Sequence, residues 1–347
     1  MIIQNLLLFI LGLILLIKGA DYFIKSSATI AKKLGVSEFI IGLTLVAFGT
    51  SVPELASSIA ASINKDPGLI LGNIVGSNIA NIGLILGISA IISCKKIKKV
   101  VLKREGYLTI FSALLLFILL INKTISRVES GILLALYVIY LLFLFRDKEE
   151  SKTKSEFKDF IEYFFKFKYL TTIKSKILRK NELKTTEAKE VKTLFTEGIV
   201  KDLLILLISG ATITYGAKLL VEKAMFFSEV LNIPSTIIGV LFVAIGTSIP
   251  ELGVTIVAAR KGYSNLAIGN IVGSNIANTF MILGIAGLIS PLSATNELIY
   301  YFVPFMIFIS ILLVVFMRTK WEISRTEGII LLSLYILFVI SLFFKMF

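Results

Sequence analysis

The sequence predicts an all-α polytopic membrane protein of ten transmembrane helices, arranged as two inverted-topology five-helix repeats. Three observations carry this reading. Of 347 residues, 56% are hydrophobic and 17% charged, against roughly 45–50% apolar and about 25% charged in soluble domains. The charge is also concentrated, because 24 of the 59 charged residues (36 basic and 23 acidic) lie between Arg146 and Glu197. Finally, the stretch from Gly42 to Gly87 recurs from Gly239 to Gly284 at a constant offset of 197, with 25 of 46 positions identical and no gaps.

A hydrocarbon core about 30 Å thick needs about 20 helical residues per crossing. Apolar stretches of that order fall near 4–24, 38–62, 69–93, 106–121, 128–145, 199–225, 235–259, 265–290, 298–317 and 327–344. They leave no room for a soluble catalytic domain. The first apolar run, from Ile2 to Ile17, has neither a basic region before it nor a small-residue cleavage site after it, so it is expected to be a retained span and not a signal peptide. The net charge of +13 resides in loops that flank the apolar segments, without the stacking partners of a nucleic-acid surface, so no nucleic acid is expected as a partner. A single cysteine, Cys94, excludes an intramolecular disulfide. The absence of histidine removes imidazole metal sites, Ser/His triads and histidine proton relays.

Lysine and arginine set the expected orientation, since cytoplasmic loops retain positive charge. Alternate loops at 25–37, 94–106, 146–197, 260–264 and 318–326 together hold 28 basic residues, whereas the other side has Lys65, Lys123, Arg127 and Lys345. Both termini are therefore predicted outside a cell membrane and the central loop in the cytoplasm. The chain divides into a first repeat, 1–145, a basic loop, 146–197, and a second, inverted repeat, 198–347. An odd number of spans in each half forces the two copies to cross in opposite directions. Within the loop, Phe157, Phe160, Ile161, Phe164 and Phe165 recur at helical spacing among lysines, which predicts an interfacial helix lying on anionic lipid.

The duplicated segment carries the chemistry. GTSVPEL at Gly49–Leu55 is matched by GTSIPEL at Gly246–Leu252, and GNIVGSNIAN occurs unchanged at Gly72–Asn81 and Gly269–Asn278. Glu54 and Glu251 thus sit near the middle of equivalent spans, where a carboxylate costs at least ~2.5 kcal/mol and is rarely left unpaired. Neither motif contains a lysine or arginine, so the two charges point to a bound cation: one divalent ion or two monovalent ones. Pro53 and Pro250 lack the N–H that would bond the carbonyls of Gly49 and Gly246. Those carbonyls and the hydroxyls of Thr50, Ser51, Thr247 and Ser248 are hard oxygen donors suited to Ca²⁺ or Na⁺. Ser77 and Asn81, four residues apart, share one helix face, as do Ser274 and Asn278. The glycines of these motifs are explained by close helix packing.

Together these motifs resemble the α-repeats of the cation/calcium exchanger superfamily, sodium/calcium exchanger branch, of the compact prokaryotic type. The resemblance implies an antiporter that exchanges Na⁺ for Ca²⁺ by alternating access, with the lipid bilayer, Na⁺ and Ca²⁺ as its partners. It implies no cofactor and no obligatory protein partner. By motif position, the Ca²⁺ site uses the carboxylates of Glu54 and Glu251 with the carbonyls of Thr50 and Thr247. Flanking Na⁺ sites add Ala47, Ser51 and Ser77 on one side and Ala244, Ser248 and Ser274 on the other, while Asn81 and Asn278 line the middle. Segments 4–34 and 199–231 correspond to long tilted helices that slide to switch access. The amide at Asn278, where potassium-dependent relatives typically carry aspartate, implies coupling without potassium. The competing readings are proton-coupled or other divalent-cation exchange on the same fold and, more remotely, a membrane-embedded enzyme.

Overall fold

A computed structural model describes residues 2–33, 47–63, 65–93, 95–96, 99–144, 156–170, 197–230, 243–319 and 321–344. The first parts of the predicted second and seventh spans, most of the central loop and Cys94 lie outside the described residues. We number the helices α1 (Ile2–Lys33), α2 (Ala47–Thr50 and Val52–Ile63), α3 (Pro67–Ile92), α4 (99–120), α5 (Arg127–Leu144) and α6 (Phe157–Phe165). They continue as α7 (Glu197–Val230), α8 (Ala244–Arg260), α9 (Ser264–Ile289), α10 (Leu298–Arg318) and α11 (Arg325–Phe344). Among the described residues, Pro67–Ile92, Arg127–Leu144, Ile199–Gly216, Ser264–Ile289, Leu298–Arg318 and Arg325–Leu342 are long and apolar enough to cross a membrane.

The second half of the chain repeats the local structure of the first. Helices α3 and α9 each pass through a π-turn, at Asn81–Leu86 and Ala277–Ile282, and α4 and α10 do the same at Leu102–Gly106 and Leu298–Phe302. Ser126 caps α5 through Glu129, which accepts from the Ser126 N–H at 2.7 Å, and Ser324 caps α11 through Glu327 with the same 2.7 Å bond. Pairing between the halves is reciprocal. Strand β1 (Lys95–Lys96) pairs with β4 (Glu322–Ile323), while β2 (Thr124–Ile125) pairs with β3 (Leu292–Ser293). Gly87 of α3 lies against α11, where an added Cβ would stand 3.0 Å from the Gly328 carbonyl oxygen. Gly284 of α9 lies against α5, where a Cβ would stand 2.9 Å from the Leu134 nitrogen. A larger residue at either place would press on backbone atoms of the neighbouring helix.

Helices α3 and α9 form the centre, buried along most of their length, and α4, α5, α10 and α11 surround them. At 32 and 34 residues, α1 and α7 are about 48 and 51 Å long. They pack on each other and on α8, where Phe23, Ile30, Leu206 and Ile213 meet Val254 and Ala258 in a separate apolar cluster. Lys33 pairs with Asp202 at 2.6 Å, and Asp21 with Lys261 at 2.6 Å, tying α1 to α7 and to the end of α8.

The loop helix α6 forms where the aromatic spacing predicts it, and part of its apolar face packs on protein. Phe160 and Tyr163 are 1% and 2% exposed. Phe160 packs edge-on to Tyr140 and Phe143, and Phe157 sits 5.8 Å from Phe111. Part of the apolar stripe is therefore taken up by α4 and α5, and a Lys103–Glu156 pair at 2.7 Å fixes the start of the helix. Phe165, Phe167 and Leu170 stay exposed. At the far end, Lys168 and Lys166 hold the Glu162 carboxyl at a pKa of about 2, well below the usual carboxylate range.

Candidate cation site

The two proline-bearing helices differ in their backbone. In α2 the helix breaks at Ser51, between the Ala47–Thr50 turn and Val52–Ile63, whereas α8 runs through Pro250 without interruption. In either case proline supplies no N–H to the carbonyl four residues back. The Thr247 hydroxyl lies 2.9 Å from the Val243 carbonyl, within reach of a local bond that competes for its one proton with the cross-repeat contact to Asn73.

Glu54 and Glu251 are both 0% exposed. No lysine or arginine pairs with either among the described residues. Each accepts a serine hydroxyl from the opposite repeat: Ser51 Oγ donates to Glu251 Oε1 at 3.2 Å, and Ser248 Oγ to Glu54 Oε1 at 3.5 Å. Ser274 Oγ approaches Glu251 Oε1 at 3.4 Å and Ser51 Oγ at 3.2 Å. Thr50 donates to Asn270 Oδ1 and Thr247 to Asn73 Oδ1, each at 3.1 Å. The serine–glutamate and threonine–asparagine contacts between the repeats each have their counterpart at the 197-residue offset, whereas the Ser274 contacts belong to the second copy alone. They bring α2, α3, α8 and α9 to one buried point.

On these four helices, four buried acceptor atoms have no hydrogen-bond donor among the described residues: Glu54 Oε2, Glu251 Oε2, Asn81 Oδ1 and Asn278 Oδ1. A buried carboxylate oxygen without a donor is costly. Carboxylate and amide oxygens are hard donors of the kind that Ca²⁺ and Na⁺ take and that an anion would not. The sequence-predicted residues Thr50, Ser51, Glu54, Ser77, Asn81, Ala244, Thr247, Ser248, Glu251, Ser274 and Asn278 are all buried on these four helices. Ala47 opens the Ala47–Thr50 turn.

The sequence reading overlooked Asn73 and Asn270. Asn270 binds the Glu251 carbonyl at 3.3 Å and Thr255 at 3.0 Å, and Asn73 binds Ser57 at 3.2 Å, so each ties the glutamate helix to its neighbour. Their spacing was the available signal, since 73, 77 and 81 fall on one helix face.

The family described as sodium/calcium exchanger protein matches residues 4–146 and 201–344, which takes in both copies. Sodium/calcium exchanger MaX1 of Methanosarcina acetivorans is 49% identical over 99% of this chain and 100% of its own length. Human sodium/potassium/calcium exchanger 2 is 32% identical over 36% of this chain and 19% of its own. The solved structure of the sodium-calcium exchanger NCX_Mj, soaked with Na⁺ and Ca²⁺, superimposes with a TM-score of 0.76 at 32% identity, covering 99% of both chains. With both halves matched and a full-length relative at this identity, the chain belongs to the sodium/calcium exchanger family.

Proposed function

We infer that the protein is a secondary antiporter that carries Na⁺ across the membrane in one direction and Ca²⁺ in the other, through one site that serves both ions in turn. The observation that carries this is the set of four buried, donor-free oxygens, two of them carboxylate, contributed equally by the two copies. Their formal charge of two matches one Ca²⁺ or two Na⁺. The same carboxylates cannot hold both cargoes, so occupancy by one ion displaces the other. That exclusion is the physical requirement of exchange. The matched relatives are transporters and not enzymes, in keeping with this reading.

Within the site, Ca²⁺ is held between Glu54 and Glu251 with the carbonyls of Thr50 and Thr247. Na⁺ occupies flanking positions built from Ala47, Ser51 and Ser77 on one side and Ala244, Ser248 and Ser274 on the other. Asn81 and Asn278 supply neutral oxygens at the middle. Residues 1–145 and 198–347 form the two repeats, cross the membrane in opposite senses as ten spans, and place the 146–197 loop in the cytoplasm. The reciprocal strand and helix pairing supports this symmetry, and the lysine and arginine distribution supports the orientation.

Equilibrium Ca²⁺ binding to purified protein, titrated with NaCl against choline chloride at constant ionic strength, tests the shared site. Na⁺ is expected to displace Ca²⁺ competitively. Ca²⁺ binding that is indifferent to Na⁺ would overturn the reading.

A further inference from the structure

An asparagine side chain has two ends of nearly equal shape, and which end meets a ligand depends on what engages the other. At the centre of this protein the question arises twice, for Asn81 and Asn278. Asn81 Nδ2 donates to Asn275 Oδ1 at 2.8 Å, and Asn278 Nδ2 donates to Asn78 Oδ1 at 3.1 Å. Turning either amide over would set two carbonyl oxygens against each other and aim an N–H₂ group at the cation site. Asn78 and Asn275 therefore decide the polarity of their partners, provided that their own Nδ2 atoms are engaged elsewhere.

That engagement is unequal in the two copies. Asn78 Nδ2 donates to Thr279 Oγ1 at 3.0 Å and lies 3.6 Å from Met306 Sδ. The Thr279 hydroxyl proton is itself committed to the Asn275 carbonyl at 3.0 Å, so it presents a lone pair to Asn78. The residue equivalent to Thr279 in the first copy is Ile82, which has no hydroxyl. Asn275 Nδ2 instead uses the Asn78 main-chain oxygen at 3.4 Å. All five polar side chains are buried, with exposures of 0–3%, where a bond left unmade is costly.

We propose that Asn78 and Asn275 are positioning residues that turn the carbonyl oxygens of Asn278 and Asn81 toward the transported cation, and that Thr279 locks this arrangement on the Asn278 side alone. The proposal rests on the exchanger reading above and extends it to residues that do not touch the ion. Thr279→Val keeps shape and removes the hydroxyl, leaving the Asn78 amide free to turn and Asn278 free to follow. Thr279→Ser keeps the hydroxyl.

The test measures Ca²⁺ and Na⁺ concentration dependence of exchange in proteoliposomes, together with ion-induced thermal stabilisation of the same proteins in detergent. Thr279→Val is expected to raise the Ca²⁺ KM by roughly three- to tenfold, about the worth of one hydrogen bond. Maximal rate and ion-free melting should change much less, and Thr279→Ser should restore the KM. Asn275→Ser, which shortens the other positioning side chain, is expected to raise KM as well and carries the test if Thr279→Val does not fold. A Ca²⁺ KM within twofold of wild type in folded Thr279→Val would overturn the proposal. So would equal impairment of Val and Ser, which would assign the effect to packing. Wild-type protein without Na⁺-dependent Ca²⁺ flux would defeat the exchanger reading separately, and ion-induced stabilisation would then decide the amide arrangement on its own.

Discussion

Arg104 and Glu105 offer a quantitative test of how the two copies diverged. Burial repeats along α4 and α10 at the 197-residue offset, so these two residues occupy the places of Tyr301 and Phe302. The second copy fills them with rings: Tyr301 stacks on Phe338 at 6.1 Å, and Phe302 meets Phe338 edge-on at 5.9 Å. The first copy instead buries an ion pair, with Arg104 Nε donating to Glu105, whose Oε2 has no donor among the described residues. Glu105 is 0% exposed and Arg104 7%. Removing one partner of a buried pair typically costs about 3–5 kcal/mol, whereas replacing both with well-packed apolar groups is neutral or stabilising by about 1–4 kcal/mol. Arg104→Leu is therefore expected to lower the melting temperature markedly, and the double variant Arg104→Tyr with Glu105→Phe to melt at or above wild type. Thermal unfolding of the purified protein in detergent measures both. A double variant as unstable as the single one would refute the argument that the fold itself does not require this pair.

Three further expectations follow from packing and charge. Phe160→Ala should release α6, because a buried phenylalanine is worth about 3–5 kcal/mol; hydrogen exchange should rise across 156–170 while α3 and α9 stay protected, and protection retained in α6 would contradict the docking. Gly87→Ala and Gly284→Ala should each cost about 1–3 kcal/mol, because the new Cβ meets backbone atoms of a neighbouring helix; unchanged melting of both would show that the α3–α11 and α9–α5 approaches can relax. Protonating Glu54 or Glu251 removes one of two balancing charges, so Ca²⁺ affinity should fall as pH is lowered, with H⁺ and Ca²⁺ competing. A Ca²⁺ affinity constant across the acid range would count against carboxylate ligation.

What the sequence made legible was whatever violated the apolar background. Glu54, Glu251 and their flanking prolines stand out because a charge or a helix breaker in a spanning segment demands a reason, and duplication excludes accident. Features governed by tertiary contacts were hidden. The Phe157–Phe165 stripe has the same spacing whether it meets lipid or protein, and the partners of Phe160, Tyr140 and Phe143, lie on a helix it meets only after folding. The break at Ser51 is absent from α8, although both copies share the Thr-Ser-x-Pro-Glu pattern, so local sequence alone does not determine it. The π-turns at Asn81–Leu86 and Ala277–Ile282 have no periodic signature, yet they begin beside the site, as such turns often do. Asn73 and Asn270 escaped notice because an amide that supports a ligand is indistinguishable, in sequence, from one that satisfies a helix contact.

The central claim is that Glu54 and Glu251 together hold the transported cation. Uptake of radioactive Ca²⁺ into Na⁺-loaded proteoliposomes diluted into Na⁺-free buffer tests it most directly, comparing wild type with Glu54→Gln and Glu251→Gln at matched folding. Glutamine keeps the size and one oxygen while removing the charge. The account predicts Na⁺-gradient-driven uptake in wild type and its loss in both single variants; near-wild-type uptake in either variant would contradict it.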